Sequence, residues 1–401
     1  MKLKPLVAAL VIGLGCIAAQ AKDTGSGPIK IGMITDLSGV YADIDGPAGV
    51  EMVKWAVHDF GGKLLGRPIE VLSADHQNKP DIGSSVARKW MEEDHLAMLI
   101  GGTNSGVNLA MSKVAAQEEV PMLGVGPGSA RLTNQDCNAY TVHYGYDTVA
   151  LANVAAKALI KQGYKNWYFL TADYAFGKSL QSDATKVVEA NGGKVLGSSL
   201  APLGTSDFSS FLLQAQSSKA QILAMANAGG DFDNAMKAAQ EFGITKTMKV
   251  AGLLVFINDV HALGLKATEG LQLAAPWYWN QDAASRKFAD RFFDKYHRMP
   301  SFVQAGDYSA TMTWLEAAKK AGTLDGTKVM AELKKMKIND MFVKDGYIRA
   351  DGLLLDTMHL YQVKTPQEST TPWDYYKLVA TVPGDQAYTP LAESSCPLVK
   401  K

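Results

Sequence analysis

The stretch Leu96-Ala-Met-Leu-Ile-Gly-Gly-Thr-Asn-Ser-Gly-Val-Asn-Leu-Ala-Met111 decides the fold. Its apolar run ends at Ile100, two glycines follow, and the apolar spacing after Ser105 is helical, which predicts a strand, a tight turn and a helix. Thr103, Asn104 and Ser105 can cap the first turn, and the free N–H groups at the positive end of the helix dipole suit a carboxylate or a phosphate. An ordinary capped turn without a ligand would give the same pattern.

Strand and helix patterns alternate on both sides of this stretch. The first part of the chain predicts strands at Ile29–Thr35, Pro68–Ala74, Val120–Val125 and Ala139–His143, with helices at about 47–60, 80–93 and 105–118. The alternation restarts with strands at 166–171, 194–199, 220–227, 248–253 and 271–275. This order predicts an α/β fold with parallel sheets, right-handed crossovers and helices on both faces. In such folds, ligands lie beyond the carboxyl ends of the strands.

The last third of the chain has a different pattern. Helices are predicted at about 282–297, 303–321 and 327–336, followed by a pair of strands near 347–349 and 357–363. The tail contains Trp373, Tyr375 and Tyr376, with proline and glycine but no long helical pattern.

Charge and the N-terminus restrict the function. The 401 residues contain 40 basic and 40 acidic side chains, so nothing indicates binding to nucleic acid or to an anionic membrane surface.

Lys2 and Lys4 precede the apolar run Leu6–Ala19, which ends in Ala19-Gln20-Ala21, as in a secretory signal cleaved after about Ala21. Cys16 leaves lipidation as an alternative. We therefore expect an exported, periplasmic protein.

The cysteines fit this compartment. Beyond Cys16 the chain has Cys137 and Cys396. In an oxidising compartment two such cysteines are a candidate disulfide, which would tie the tail to the first half of the fold, and two free thiols are the alternative.

Several catalytic motifs are absent or incomplete. Ala172–Ser179 fits the spacing of a nucleotide phosphate loop, but Tyr174 and Phe176 crowd it. Gly124–Ser129 lacks the third glycine of a dinucleotide fingerprint and contains Pro127. No Gly-x-Ser-x-Gly elbow occurs, and no two of the seven histidines are spaced i, i+4 as metal ligands on one helix would be. We expect no enzyme activity, no metal and no cofactor.

The order of several short motifs resembles one family. These are Ile29–Gly39, Gly101-Gly-Thr-Asn-Ser-Gly106, Tyr174-x-x-Gly177, Ala228-Gly-Gly-Asp231, Gln304-Ala-Gly-Asp-Tyr308, Pro372-Trp-Asp-Tyr-Tyr376 and Cys396-Pro397. The chain is similar to type I periplasmic solute-binding proteins of ABC importers, in the branched-chain amino acid (Leu/Ile/Val-binding) class. The resemblance implies two αβα-sandwich lobes, residues 29–143 with 277–352 and residues 144–276 with 353–401. Three crossovers near 143–146, 275–277 and 350–355 would join them.

The same resemblance implies a ligand site between the lobes. Asn104 and Ser105 would bind the ligand carboxylate, together with backbone around Gly126, Gly128 and Ser129. Tyr41 from the first loop, and Tyr174 or Phe176 from the second lobe, would cover the ligand.

One departure from the family concerns the ligand ammonium. Amino acid binders of this class hold it with an acidic side chain in the loop after the strand near Val250. Here Leu253–Asn258 contains no acid, so only Asp231, two residues after Gly229, could substitute. A buried ammonium without a partner is costly. Similar sequences with the Trp-Asp-Tyr-Tyr tail belong to a branch linked to aromatic or 2-oxo carboxylates, for which Phe256 and Trp277 could supply stacking surfaces, unless they are core residues.

The resulting hypothesis is a monomeric binding protein for a small amphiphilic carboxylate, an aromatic or aryl-2-oxo acid, with membrane permease subunits as partners. A branched-chain or aromatic amino acid is the alternative ligand. A ligand-sensing receptor ectodomain is a further alternative, which would need a transmembrane helix after Ala21.

Overall fold

The computed structural model describes residues 27–400. The predicted signal sequence and Cys16 lie outside the described residues. In the described part no helix has the length and apolarity needed to cross a membrane.

The first unit is built on a six-stranded sheet of order β2-β3-β1-β4-β5-β6. All neighbours are parallel except the short β2, which pairs antiparallel with β3. β1 and β4 are almost wholly buried, as expected for parallel strands covered on both faces. The elements are β1 (Ile29–Thr35), α1 (Gly46–Asp59), β2 (Lys63–Leu64), β3 (Arg67–Asp75), α2 (Pro80–Glu92), β4 (Met98–Gly101), α3 (Ser105–Gln117), β5 (Met122–Gly124) and β6 (Thr141–His143).

The second unit is built on a parallel four-stranded sheet of order β10-β9-β7-β8. It begins with α4 (Thr148–Leu151), which continues through a π-helical segment (Ala152–Ala156) into α5 (Lys157–Lys161). There follow β7 (Asn166–Ala172), α6 (Ala175–Ala190), β8 (Lys194–Ala201), α7 (Ser209–Ser217), β9 (Ile222–Ala226), α8 (Gly230–Glu241), β10 (Lys249–Gly252), α9 (Ile257–Leu263), α10 (Leu265–Thr268) and β11 (Gln272–Ala275). The α/β class with two parallel sheets, predicted from the alternation of patterns, is confirmed.

Helices from the last third of the chain complete the first unit. These are α11 (Ala283–Tyr296), α12 (Phe302–Ala321) and α13 (Gly326–Leu333). α12 packs along α1, and the Tyr308 hydroxyl of α12 donates a 3.0 Å hydrogen bond to Asp59. Arg291 of α11 forms an ion pair with the same carboxylate. Residues far apart in sequence thus share one core.

The predicted pairing of the two late strands is wrong. The remaining elements are β12 (Lys337–Ile338), β13 (Gly346–Ile348), β14 (Leu354–Leu355), β15 (Met358–Val363), β16 (Tyr376–Val382) and α14 (Gly384–Ala387). β13 pairs with β12 and β14, whereas β15 lies between β11 and β16 in another sheet. The turn at Asp351-Gly352 therefore joins β13 to β14 within one sheet, and the chain enters the other sheet only at Met358. The edge strand β16 was not predicted.

The predicted disulfide between Cys137 and Cys396 is present, with 5.6 Å between the two Cα atoms. The tail that it holds packs where the two units meet. The Tyr388 hydroxyl donates to the Gly145 carbonyl, and the Asn153 amide donates to the Ala387 carbonyl. The disulfide thus fixes the tail along the junction.

Candidate functional site

A small cavity lies between the loops at the carboxyl ends of the strands of both sheets. We call it the front cavity. The first unit contributes Tyr41, Ile44, Thr103, Asn104, Ser105, Gly126 and Gly128. Tyr146, Tyr174, Phe176, Ala228, Leu254 and Phe256 complete the lining. Its free space is about 20 Å³, room for about one water molecule, so a larger ligand requires the surrounding loops to move apart.

Ser105 is the first residue of α3 and presents a hydrogen-bond donor to the front cavity. Its Oγ accepts hydrogen bonds from the Gly128 and Ser129 N–H groups at 3.2 and 3.1 Å. Its own hydroxyl hydrogen has no acceptor within residues 27–400. The two bonds therefore leave Ser105 as a donor that an acceptor on a ligand could satisfy.

Thr103 adds a second donor. Its Oγ1 is buried and has no hydrogen-bond partner among the described residues, although the residue lines the front cavity. Its backbone is fixed, because its N–H donates to Asp45 at 2.9 Å. Burial raises the pKa of Asp45 to about 6. Buried polar groups without partners are rare in native proteins, so this hydroxyl is a candidate donor to a ligand.

Asn104 caps α3 and shapes the turn. Its side-chain oxygen accepts from the Val107 N–H at 3.1 Å, and its amide donates to Asn78 at 3.0 Å. Its φ of 74° is in the left-handed region, which asparagine tolerates better than most residues. The N–H groups of the first turn of α3 have no partner inside the helix and carry the positive end of its dipole.

Aromatic rings from both units surround these donors. The hydroxyl oxygens of Tyr41 and Tyr174 lie 2.6 Å apart, and Tyr146 donates to the Gly126 carbonyl at 2.8 Å. Burial raises the pKa of all three tyrosines, so their hydroxyls stay protonated at neutral pH. The Phe256 ring stacks on Phe302 with 4.6 Å between ring centroids.

Two glycines allow the loops to approach this closely. A Cβ on Gly126 would lie 2.4 Å from the Thr103 backbone nitrogen. A Cβ on Gly229, which has a φ of 56°, would lie 2.6 Å from the Val40 carbonyl of the opposite unit. Larger residues would therefore push the site loops apart.

Charge is absent from the lining. None of the described residues that line the front cavity carries a carboxylate, ammonium, guanidinium or imidazole. Asp231 is nearby and 2% exposed, but its carboxylate oxygens accept from the Gly204 N–H, both at 3.1 Å. Burial raises the pKa of Asp231 to about 6. The front cavity is thus polar through dipoles and hydroxyls alone.

Eight of the sequence-predicted site residues meet in the front cavity: Tyr41, Asn104, Ser105, Gly126, Gly128, Tyr174, Phe176 and Phe256. Four do not line it. The Ser129 N–H donates to Ser105, and Gly229 packs against Tyr41 and Val40. The Asp231 carboxylate accepts from the Gly204 N–H. The Trp277 indole donates to the Met341 carbonyl at 2.9 Å.

Sequence reasoning named Thr103 as a possible cap and anion donor but not as a final site residue, and it did not single out four other lining residues: Ile44, Tyr146, Ala228 and Leu254. Thr103 and Tyr146 had a usable signal, because each follows the carboxyl end of a predicted strand. Within residues 27–400, no group of three or more His, Cys, Asp or Glu side chains could hold a metal ion.

Comparison with known proteins agrees with this architecture. The family model described as "Periplasmic binding protein" matches residues 28–370. A periplasmic binding protein from Burkholderia mallei is 60% identical over 94% of this chain and 100% of its own, with a TM-score of 0.93. A branched chain amino acid ABC transporter periplasmic ligand-binding protein from Burkholderia xenovorans is 36% identical over 93% and 100%, with a TM-score of 0.82.

A solute binding protein of an ABC transporter from Rhodopseudomonas palustris shares the fold, with a TM-score of 0.79 at 22% identity over 89% of this chain and 98% of its own. Members of the matched family are exported and bind small molecules. The chain belongs to the periplasmic binding proteins, as a solute-binding protein of the ABC-transporter type.

Proposed function

We propose that the protein binds a small aromatic carboxylate, an aromatic or aryl-2-oxo acid, in the front cavity and presents it to the permease subunits of an ABC importer. The ligand carboxylate accepts hydrogen bonds from Ser105, Thr103 and the first turn of α3. Its ring lies among Tyr41, Tyr174 and the neighbouring aromatic side chains.

The observation that carries this proposal is the combination of unpaired donors with a lining that has no charge. A carboxylate finds donors at Ser105, Thr103 and the α3 N-terminus. An α-ammonium would find no carboxylate, and an unpaired buried ammonium costs several kcal/mol. The five aromatic rings of the lining match a flat apolar body. The Rhodopseudomonas palustris protein named above was crystallised with 3,4-dihydroxybenzoic acid, which agrees with this ligand class.

The test compares ligand classes by thermal shift and calorimetry on the purified protein. Benzoate and phenylpyruvate are set against leucine and phenylalanine at the same concentration. We expect the aryl acids to raise the melting temperature by mass action and the amino acids to leave it unchanged. The reverse result would refute the aromatic acid assignment.

An amino acid remains the second candidate, because the 36% identical relative is described as a branched chain amino acid transporter protein. In that case Asp231 would have to leave Gly204 and pair with the ammonium. Asp231→Asn would then abolish amino acid binding, whereas Asp233→Asn on the same helix would not. For an aryl acid, neither variant should weaken binding more than about twofold, since no buried charge pair is lost.

We further propose the division into two lobes, residues 29–143 with 277–352 and residues 144–276 with 353–401, and a monomer that closes on its ligand. Contacts across the proposed cleft support closure: the Gly230 N–H donates to the Val40 carbonyl at 3.0 Å, and Asn258 donates to the Asp43 carbonyl at 3.1 Å. Because ligand touches both lobes only when they are together, binding favours the closed form. X-ray scattering should show a monomer whose radius of gyration falls on addition of the ligand. An unchanged radius would contradict closure.

A further inference from the structure

Two carboxyl groups are buried side by side next to the turn that carries Thr103. Asp45 immediately precedes α1, Asp307 belongs to α12, and both residues are 0% exposed. Asp45 Oδ1 and Asp307 Oδ2 lie 2.1 and 2.7 Å from the point that a Cβ on Gly49 would occupy, so the two groups are direct neighbours. The function proposed so far gives this pair no role.

Asp45 holds the turn of the front cavity rather than its own helix. It occupies the N-cap position of α1, where an aspartate side chain usually accepts a hydrogen bond from the first turn, but it makes no such bond. Its Oδ2 instead accepts from the Thr103 N–H at 2.9 Å and from the Thr35 hydroxyl at 2.6 Å. The position of Thr103 therefore depends on where the Asp45 carboxylate is held.

The surroundings of the pair do not balance two negative charges. Asp45 Oδ1 and both carboxylate oxygens of Asp307 are buried and have no hydrogen-bond partner among residues 27–400. No lysine, arginine or histidine of that range forms an ion pair with either group. Adjacent buried carboxylates without a cation cannot both stay ionised, so at least one of them carries a proton.

The other titratable groups that face the pair do not supply positive charge. Asp36, which follows β1, and Tyr146, which lines the front cavity, both interact electrostatically with Asp45. His76 contacts the Thr103 carbonyl at 2.9 Å. Burial lowers the pKa of His76 and raises the pKa of Tyr146, so both side chains are neutral between pH 7 and pH 9.

Asp307 is the member of the pair that keeps the proton. Burial, the charge of Asp45 and a hydrogen bond with Asp45 all raise the pKa of Asp307 well above its usual value. Burial also raises the pKa of Asp45 to about 6, but its hydrogen-bond donors oppose that rise. Above pH 7, Asp307 is therefore a hydrogen-bond donor and Asp45 is a carboxylate.

We propose that Asp45 and Asp307 share one proton and that this pair positions the turn that binds the ligand. Asp307 Oδ2 carries the proton and donates it to Asp45 Oδ1, while Asp45 Oδ2 holds the Thr103 N–H. The proton thus connects α12 to the turn that presents the Thr103 hydroxyl. The consequence for affinity rests on the proposed function, whereas the shared proton and its hold on the turn do not.

The pH dependence of unfolding tests the shared proton. The folded protein keeps a proton that the unfolded chain loses above about pH 4, so this pair makes the protein less stable as the pH rises, and the unfolding equilibrium constant grows about tenfold per pH unit. Asp307→Asn can donate the same hydrogen bond from its amide but has no proton to release. Between pH 7 and pH 9, the constant measured in urea should therefore rise about tenfold more per pH unit in the wild type than in Asp307→Asn. Equal slopes would overturn the shared proton.

Hydrogen exchange of the Thr103 amide tests the positioning role without any ligand. Asp307→Leu removes the donor and leaves the Asp45 carboxylate buried without it. At pH 7 we expect the Thr103 amide to exchange at least tenfold faster in this variant, and Asp307→Asn to restore slow exchange to within about threefold of the wild type. If Asp307→Leu does not fold, the smaller and polar Asp307→Ser should act in the same direction.

Ser309→Ala is the matched control for this measurement. Ser309 is a buried residue of the same helix, but its hydroxyl bonds to Tyr144 and Asp340 instead of the pair. It should destabilise the protein without faster exchange at Thr103. Unchanged exchange in a folded Asp307 variant that lacks the donor, or equal acceleration in Ser309→Ala, would overturn the positioning role.

Affinity separates this inference from the function on which its last step rests. For an acid that binds the wild type, Asp307→Leu should weaken binding at least tenfold, and Asp307→Asn should recover most of the loss. Faster exchange with unchanged affinity would refute a role of the pair in binding. If benzoate and phenylpyruvate do not bind the wild type, the proposed function has failed, and the unfolding and exchange measurements still decide whether the pair shares a proton and holds the turn.

Discussion

The hydroxyl oxygens of Tyr41 and Tyr174 lie 2.6 Å apart, although the two residues are 133 positions apart in sequence and follow strands of different sheets. The pair spans the front cavity and joins the loop after β1 to the start of α6. It is therefore a direct link between the two units at the site itself.

Tyr174→Phe should shorten the lifetime of the ligand complex. The substitution removes one hydrogen bond across the cavity, worth roughly 0.5–1.5 kcal/mol, and leaves the Tyr41 hydroxyl without a partner. We expect dissociation to become about 2–10 times faster in stopped-flow measurements. Tyr168→Phe is the control, since it removes a 2.7 Å hydroxyl bond to Ser199 away from the cavity. Equal dissociation rates for the wild type and Tyr174→Phe would contradict a role of the pair in closure.

Thr103→Val should lower affinity for the ligand without lowering stability. Because the Thr103 hydroxyl is buried and unpaired without ligand, its removal should leave the free energy of unfolding unchanged or slightly increased. Binding should lose about 1–3 kcal/mol, because a ligand oxygen loses its donor. Thr141→Val is the matched control, since its hydroxyl is equally buried and unpaired but is not in the front cavity. Denaturant unfolding and calorimetry measure the two quantities, and unchanged affinity would remove Thr103 from the site.

His143 should make the protein less stable in acid. Its Nε2 contacts the Pro127 carbonyl at 2.6 Å, and burial lowers the pKa of the imidazole from 6.5 to about 4. Between these values the unfolded chain binds a proton that the folded protein does not, so stability is present above pH 6.5 and is lost as the pH falls. At pH 5 the loss from this residue is about 2 kcal/mol. The free energy of unfolding in urea should differ less between pH 7.5 and pH 5 in His143→Gln than in the wild type, by that amount. The same pH dependence in both proteins would contradict this role of His143.

Removing the disulfide should lower stability but not affinity. Cys137 and Cys396 close a loop of 259 residues, and loss of a native disulfide typically costs about 2–5 kcal/mol. Neither cysteine lines the front cavity, so we expect the variant with both changed to alanine to bind within about twofold of the wild type. A reducing agent should destabilise the wild type and leave the double variant unchanged. Loss of affinity in a folded double variant would show that the tail shapes the site.

Strand patterns predicted the position of the front cavity, because a parallel sheet places the ends of its strands along one edge. β1 begins and ends at the predicted residues, and the turn after β4 supplies Thr103, Asn104 and Ser105. Side-chain direction was harder to predict. Trp277 was predicted to be either a stacking surface for the ligand or a core residue. Its indole donates to the Met341 carbonyl and does not line the front cavity.

Long-range packing explains the other differences. The ring centroids of Tyr146 and Phe302 lie 5.2 Å apart only in the folded chain, so no local sequence pattern predicts this contact. The edge strand β16 exposes Leu378 and Val379, so its sequence lacks the clear alternation of a half-buried strand. The strands near 347 and 357 were predicted to pair because they are neighbours in sequence, but β11 and β16 are the partners of β15.

The packing of α12 on α1 determines the order in which the two units can fold. The core of the first unit needs residues 302–321, so an exported chain that emerges amino terminus first cannot complete that core until most of its length has crossed the membrane. The apolar face of α1, including Met52, Val53 and Ala56, stays uncovered during that interval. Contacts between such distant segments form slowly. The sheet of the second unit is continuous in sequence from β7 to β10, so this unit can fold before the first unit is complete.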